Sequence, residues 1–215
     1  MRSADMPPDG GILNIKVPVA PVSSQAPAAK KSGIIAAVRG AVAHYRYLLG
    51  DDVKIEIQWH ISARTRYESD SSADVDNIVK PVLDALCGPE GVLIDDCQVQ
   101  ELVCYWSGGY SKPEHQQVEI ELEFDPEAWV AKDGLFFLQV DRALYLPMHG
   151  DIPMSIVMEQ AEHLVRRFES AREMLSKGVP PSSVYLTLSV QRVYHRSKIG
   201  AFQRMTLDDL RARLG

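Results

Sequence analysis

The sequence predicts an α+β protein: a sheet-and-helix domain over residues 12–125, a loose tail before it (1–11) and an α/β extension after it (126–215). Three observations predict this. Val53, Ile55, Ile57 and Trp59 alternate with polar residues, and Val118, Ile120, Leu122 and Phe124 alternate with Glu119, Glu121 and Glu123, the period of half-buried strands. Ile34, Ile35, Val38, Val42 and Tyr45 recur at helical spacing, as do Val157, Ala161, Leu164, Phe168, Ala171 and Leu175. Asp125-Pro126 interrupts the pattern between two stretches of different charge.

Ile12 to Val19 reads as a short strand stopped by Pro18 and Pro21, with a turn-rich loop through Ser23. A helix follows from about Ala28 to Leu49, ended by Gly50-Asp51-Asp52. The alternation from Val53 to Trp59 reads as a strand of antiparallel or edge type. Residues 63–73 are polar and form a loop. The next helix spans about Asp76 to Leu86, with Ile78, Val79, Val82, Leu83 and Leu86 inward, and Gly88-Pro89-Glu90-Gly91 stops it. Pro81 removes a hydrogen bond to Asn77 and is expected to kink the first turn. Val92-Leu93-Ile94 reads as a short strand running into Asp95-Asp96. Val99 to Trp106 and Gln117 to Phe124 are strands. In the extension, Leu135 to Val140 reads as a strand, Ile156 to Lys177 as the strongest helix, Ser183 to Tyr194 as a strand, and Thr206 onward as a closing helix after a basic stretch. Trp59 and Trp106, lying in strands, are expected in the core.

A length of 215 residues is ample for a real core, and 46% apolar with 24% charged residues excludes a disordered or collagen-like chain. No apolar run approaches about 18 residues, so no membrane span is expected. The first residues, Met1 to Gly11, lack the apolar stretch of a signal peptide. Cys87, Cys97 and Cys104 are odd in number and form no CxxC, which points to a reducing cytoplasmic setting. The net charge of −6 speaks against a simple nucleic-acid binder. The charge is uneven: residues 1–125 carry 11 basic and 19 acidic residues, net −8, against 12 and 10, net +2, in residues 126–215.

Much of the acid lies in one region: Asp70, then Asp74, Asp76 and Asp84 around Lys80, then Asp95-Asp96. Asp74 and Asp76 fall where a loop enters a helix, and Asp95-Asp96 at the end of a short strand. Packed side by side, these carboxylates converge at one rim. Their repulsion is relieved by a hard divalent cation, and magnesium with retained waters suits such a set. An EF-hand needs an acid or amide where Ile78 stands and Gly where Val79 stands; zinc needs His or Cys at ligand spacing, and none is there. A plainer alternative fits the same residues: Asp74 or Asp76 as a helix cap, Lys80 in surface pairs with Asp76 and Asp84, and Asp95-Asp96 as an ordinary turn.

The pattern Asp-x-Asp-Asn-x-x-Lys-x-x-x-Asp-Ala-Leu (Asp74, Asp76, Asn77, Lys80, Asp84, Ala85, Leu86), followed by Asp-Asp-x-Gln-Val (Asp95, Asp96, Gln98, Val99), resembles the RusA family of Holliday junction resolvases, endonucleases of phages and prophages. The opening strand and the loop with Pro18, Pro21 and Ser23 are similar too, and the resemblance covers about residues 12–125. It implies a mixed sheet flanked by helices and a homodimeric, magnesium-dependent endonuclease for four-way junction DNA, with manganese as a possible substitute. The family's essential aspartates fall on Asp74, Asp76 and Asp96 and its catalytic lysine on Lys80. Asp95 joins Asp74, Asp76 and Asp96 as a metal-side acid, while Asn77 and Asp84 are supporting residues, Asp84 as an orienter of Lys80 or a metal contact.

DNA contact requires local cations, because phosphate neutralisation dominates affinity. Arg64 and Arg66, next to the acidic motif, are the leading candidates, with Lys30, Lys31, Arg39 and Arg46 on the first helix side; each also fits a solvated surface charge. Residues 126–215 have no counterpart in the compact family; their tail (Arg192, His195, Arg196, Lys198, Arg204, Arg211, Arg213) fits either DNA contact or a solvated terminus. Two rival functions remain at this level: a non-catalytic branched-DNA-binding protein, and a nuclease for other branched or flapped DNA.

Overall fold

In chain order the first elements are β1 (Ile12–Val17), α1 (Ala28–Val42), β2 (Tyr47–Leu49), β3 (Val53–Ser62), α2 (Val75–Leu86), a turn of 3-10 helix (Asp96–Gln98), β4 (Val99–Gly109) and β5 (Gln117–Phe124). The computed structural model describes residues 4–22, 26–62, 67, 74–109, 116–150, 152–188 and 192–214; within a described helix, the side chains of Asp76 and of residues 185–187 and 214 lie outside that description. The chain divides into two compact units, Met1–Trp129 and Val130–Gly215. A short strand, β6 (Trp129–Ala131), straddles the division.

The first unit is a mixed sheet in the order β1-β5-β3-β4. β1 and β3 both run antiparallel to β5, while β4 runs parallel to β3. The alternation seen in the sequence sets its two faces. Val53, Ile55, Ile57 and Trp59 of β3 and Val118, Ile120, Leu122 and Phe124 of β5 point into a core shared with Ile34, Val38 and Val42 of α1 and Ile78, Val82 and Leu86 of α2. Burying each such side chain fully is worth about 1.5–3 kcal/mol, so helices and sheet stabilise each other through this layer. The opposite face carries Lys16, Lys54, Glu119 and Glu123, paired at 3.0 Å (Lys16–Glu119) and 3.3 Å (Lys54–Glu123).

Several expectations need correction. The helix from Ala28 ends at Val42 rather than Leu49, and Tyr47–Leu49 is a strand with three consecutive buried residues. A continuous apolar run covered on both sides suits a buried strand, and helical periodicity cannot distinguish it. Of the two types expected for β3, antiparallel or edge, it is antiparallel to β5 but not an edge strand; it lies between β5 and β4, and it alternates because helices cover one face and solvent the other. Val92–Ile94 forms no ladder, only single bridges from Leu93 to Leu49 and to Cys87. α2, which contains Pro81, begins at Val75, one residue before the expected start. Trp59 is buried as expected, whereas Trp106, on the outer strand β4, is only partly so.

In the second unit, β7 (Phe136–Asp141) and β8 (Leu144–Met148) form an antiparallel hairpin, followed by α3 (Met154–Ser176), α4 (Pro181–Leu188), β9 (Tyr194–His195), β10 (Arg204–Met205) and α5 (Leu207–Leu214). The sheet order is β10-β7-β8-β9. Its core joins Phe136, Leu138, Val140 and Leu146 to Val157, Ala161, Phe168 and Ala171 of α3. Leu175, expected on the same stripe, is exposed at the end of α3. Residues 183–188, expected as part of a strand from Ser183 to Tyr194, lie instead in α4: Pro181 starts the helix, and Val184 and Leu188, one turn apart, face inward. Among the described residues, no helix is long and apolar enough to cross a membrane.

Candidate active site

α2 builds the site by separating its two faces. Ile78, Val79, Val82, Leu83, Ala85 and Leu86 are buried, which fixes the helix on the sheet and turns the face bearing Lys80 and Asp84 outward. Asp76, Lys80 and Asp84 stand at i, i+4 and i+8, so their backbone positions share one face at steps of about 6 Å. Asp74 occupies the N-cap position with extended backbone, yet makes no side-chain capping hydrogen bond. Its carboxylate is therefore not spent on the helix, unlike an ordinary capping aspartate. The backbone N–H of Asn77 donates to the Asp74 carbonyl at 3.0 Å.

The second wall comes from the loop after α2. Cys87 is extended and ends the helix, and Gly88 adopts a positive φ of 91°. The chain then doubles back so tightly that a Cβ on Gly91 would lie 1.9 Å from the Leu86 carbonyl oxygen. That carbonyl accepts from Val92 N–H at 2.8 Å and Leu93 N–H at 2.9 Å. The return delivers Asp95 and Asp96 alongside α2. The Asp95 carboxylate accepts from Cys97 N–H at 3.0 Å and closes a capping box with Gln98 over the 3-10 turn.

Lys80 joins the two walls. Its Nζ donates to Asp84 Oδ1 at 2.6 Å and to Asp96 Oδ2 at 3.1 Å. The side chains of Lys80, Asp84 and Asp96 are 55%, 46% and 34% exposed. Ion pairs this open contribute about 0–1 kcal/mol each, so the triad is a poor device for stability alone. The hydrogen bond to Asp84 first, then that to Asp96, holds the ammonium well above the ordinary lysine range against the opposing effect of burial. Lys80 is thus cationic at any physiological pH. Beneath it, burial and then the charges of Asp96 and Asp95 push the Cys87 thiol up to about 12.

The structure thus brings Lys80, Asp84, Asp95 and Asp96 together and sets Asp74 and the backbone of Asp76 at the start of the same helix. Among the described residues, no group of three or more His, Cys, Asp and Glu side chains gathers as a metal-binding cluster. Arg64, Arg66 and Asp70 lie outside the described residues. Lys30 and Lys31 stand in the first turn of α1, Lys30 exposed. Arg39 pairs with Glu90 at 3.0 Å. The outer sheet face holds a depression lined by Glu56, Glu101, Glu121 and Glu123 against Lys54, a charge balance that repels phosphate. Sequence reasoning gave Gln98 no role beyond its motif match, although Asp-x-x-Gln is a readable capping-box signature.

None of the curated proteins matches the chain. Residues 18–123 match the family described as Endodeoxyribonuclease RusA, whose members resolve Holliday junctions, and this range contains both walls of the site. The enzyme class that goes with it is a DNA hydrolase. Residues 18–123 thus make up a domain of the RusA endodeoxyribonuclease family.

Proposed function

We propose that the first unit is a magnesium-dependent, structure-selective endonuclease that resolves four-way DNA junctions by paired, symmetric nicks. The observation that carries this reading is Lys80 held between Asp84 of its own helix and Asp96 of a separate segment, one turn after Asp76, in a domain of this family.

The donor set fits a hard divalent cation. Asp74, Asp76, Asp95 and Asp96 offer only oxygen, and Asp74 keeps its carboxylate off the helix cap. These four would hold magnesium, or manganese in its place. When bound, the ion supplies Lewis-acid polarisation of the scissile phosphate and a lowered pKa for attacking water. Lys80 offsets the charge that develops on the phosphoryl oxygens, and Asp84 holds its ammonium in position. Attack in line breaks the bond to the 3′ oxygen and leaves a ligatable nick. Asn77 supports the start of α2 next to Asp74. Lys30, Lys31, Arg64 and Arg66 are assigned to phosphate contact.

Two sites in a homodimer match the two-fold symmetry of a junction. β4 is the outer strand of the sheet and exposes Leu102, Val103 and Tyr105, which supports pairing with a second copy. The three free thiols suit a cytoplasmic setting.

A cleavage panel of four-way junction, fork, flap and duplex, with magnesium or with EDTA, tests the reading. Junction cleavage that EDTA abolishes is expected. Tight junction binding without cleavage would make the chain a non-catalytic binder, and preferential flap cutting would redirect the substrate. Asp76→Asn should slow junction cleavage at least about 100-fold, the scale of losing one transition-state contact; cleavage at the wild-type rate removes Asp76 from the site.

A further inference from the structure

We infer that Gln98 is a positioning residue for the reaction proposed above: it sets the Asp95–Asp96 segment in place against Lys80. The inference rests on that nuclease reading. Gln98 is completely buried; among the described residues the one other polar or charged residue counted as buried is Ser62, which keeps 4% of its surface exposed.

A glutamine amide has two donor hydrogens and two acceptor lone pairs, and this one uses all four. Its Oε1 accepts from Ile94 N–H at 2.7 Å and from Asp95 N–H at 3.2 Å. Its Nε2 donates to the Leu49 carbonyl at 2.8 Å and the Asp51 carbonyl at 2.9 Å. A reversed amide would set donors against donors, so the orientation is fixed by its surroundings.

The four partners belong to two segments that lie in a gap between the Leu49–Leu93 bridge and the start of the β3–β4 ladder at Val53–Val99. Leu49 ends β2 and Asp51 lies in the turn to β3, while Ile94 and Asp95 lead into the site. On one side of the gap Leu49 N–H donates to Val92 O at 2.8 Å beside the Leu49–Leu93 bridge, and on the other the ladder starts at Val53–Val99. Within the gap the Gln98 side chain supplies the hydrogen bonds. Asp96, next along the chain, reaches Lys80 at 3.1 Å. Releasing the amides of Ile94 and Asp95 frees the backbone that carries this carboxylate, and a misplacement of about 1 Å is enough to cost a site on the order of 100-fold in rate.

Gln98→Met keeps the length and removes all four hydrogen bonds, whereas Gln98→Glu keeps the acceptors for Ile94 and Asp95. Both variants and the wild type are compared for thermal unfolding, for junction cleavage in magnesium, and for amide hydrogen exchange without metal. We expect Gln98→Met to unfold cooperatively above the assay temperature. Its kcat should fall about 10- to 100-fold, with KM for the junction within about twofold. Its Ile94 and Asp95 amides should exchange at least about tenfold faster, and Gln98→Glu should restore much of their protection and of kcat. A folded Gln98→Met with wild-type kcat, or with unchanged exchange at both amides, overturns the inference. So does failure of both variants to fold, which would make Gln98 a residue of the fold and not of the site. A wild-type chain that cuts none of the DNA panel sinks the nuclease reading instead, and the exchange rates then decide by themselves whether Gln98 holds the loop.

Discussion

Each unit of this chain closes a short helical segment with a reciprocal hydrogen-bonded cap, and the two caps are used differently. In the second unit, Asp209 N–H donates to Thr206 Oγ1 at 3.1 Å, and Thr206 N–H returns to Asp209 Oδ2 at 2.7 Å. Both residues are at the surface, and the cap serves only the start of α5. In the first unit, the box between Asp95 and Gln98 closes one turn of 3-10 helix, but its distal residue is buried and reaches across to Leu49 and Asp51. One local signature therefore serves helix initiation in one unit and site assembly in the other. What separates them is burial, because only a buried amide must find all of its partners within the protein.

The strongest way to sharpen the contrast is to remove the charges of the first unit. Lys80→Ala or Asp96→Asn should lower kcat for junction cleavage about 100- to 1,000-fold, since each removes an electrostatic contact to the reacting phosphate or its neighbours. Neither should move the melting of the second unit by calorimetry. Retained cleavage in either variant would show that the triad is a surface ion-pair network. The reciprocal change acts on the second core. Leu138 is fully buried, and Leu138→Ala should cost about 2–5 kcal/mol of that unit's stability. Junction cleavage at a temperature where this unit stays folded should be unchanged; a parallel loss of cleavage would make the second unit part of the active machinery.

What the sequence disclosed follows the range of the interaction. The i, i+4 pair Lys80–Asp84 and the buried face of α2 were legible because neighbours on a helix are fixed by spacing alone. The mixed, helix-flanked sheet came with the family resemblance. The order β1-β5-β3-β4 was not legible, because β3 inserts between β4 and β5, which are consecutive in the chain. The Lys80–Asp96 contact spans 16 residues and depends on the tight return at Gly91. The error at residues 183–188 has a simple origin. Val184 and Leu188 satisfy both a period of two and one turn of helix, and Pro181 decides in favour of the helix.

Alkaline pH should weaken the first unit more than the second. Burial pushes Cys87 up to about 12 and Cys104 up to about 11, and it also raises Tyr45 and Tyr47. A folded-state pKa raised above the unfolded value means that the folded chain keeps a proton which the unfolded chain releases. The associated stability is therefore complete below about pH 9 and is lost as pH climbs towards about 12. The raised Lys80 acts in the same direction. All three cysteines lie in the first unit. Calorimetry between about pH 8 and 11 should show the transition of the first unit falling ahead of the other; the opposite order would contradict this assignment.

The smallest effect belongs to the exposed cap. Thr206→Ala removes the hydroxyl that accepts from Asp209 N–H and donates to Asp209 Oδ2. Loss of a threonine cap costs about 1 kcal/mol, which for a unit of this size is a drop of roughly 4–8 °C in its melting midpoint. The hydrogen bonds from Thr206, backbone first and then hydroxyl, hold the Asp209 carboxyl below its ordinary value. A lowered carboxylate pKa stabilises the folded form above the unfolded value and ceases to do so as pH falls through the folded one. The gap between wild type and Thr206→Ala should therefore be full at pH 7 and narrow below the usual aspartate range, with junction cleavage at pH 7 unaltered. A loss of cleavage comparable to that of Gln98→Met would erase the distinction between the two caps, because it would show that the surface cap also serves the site.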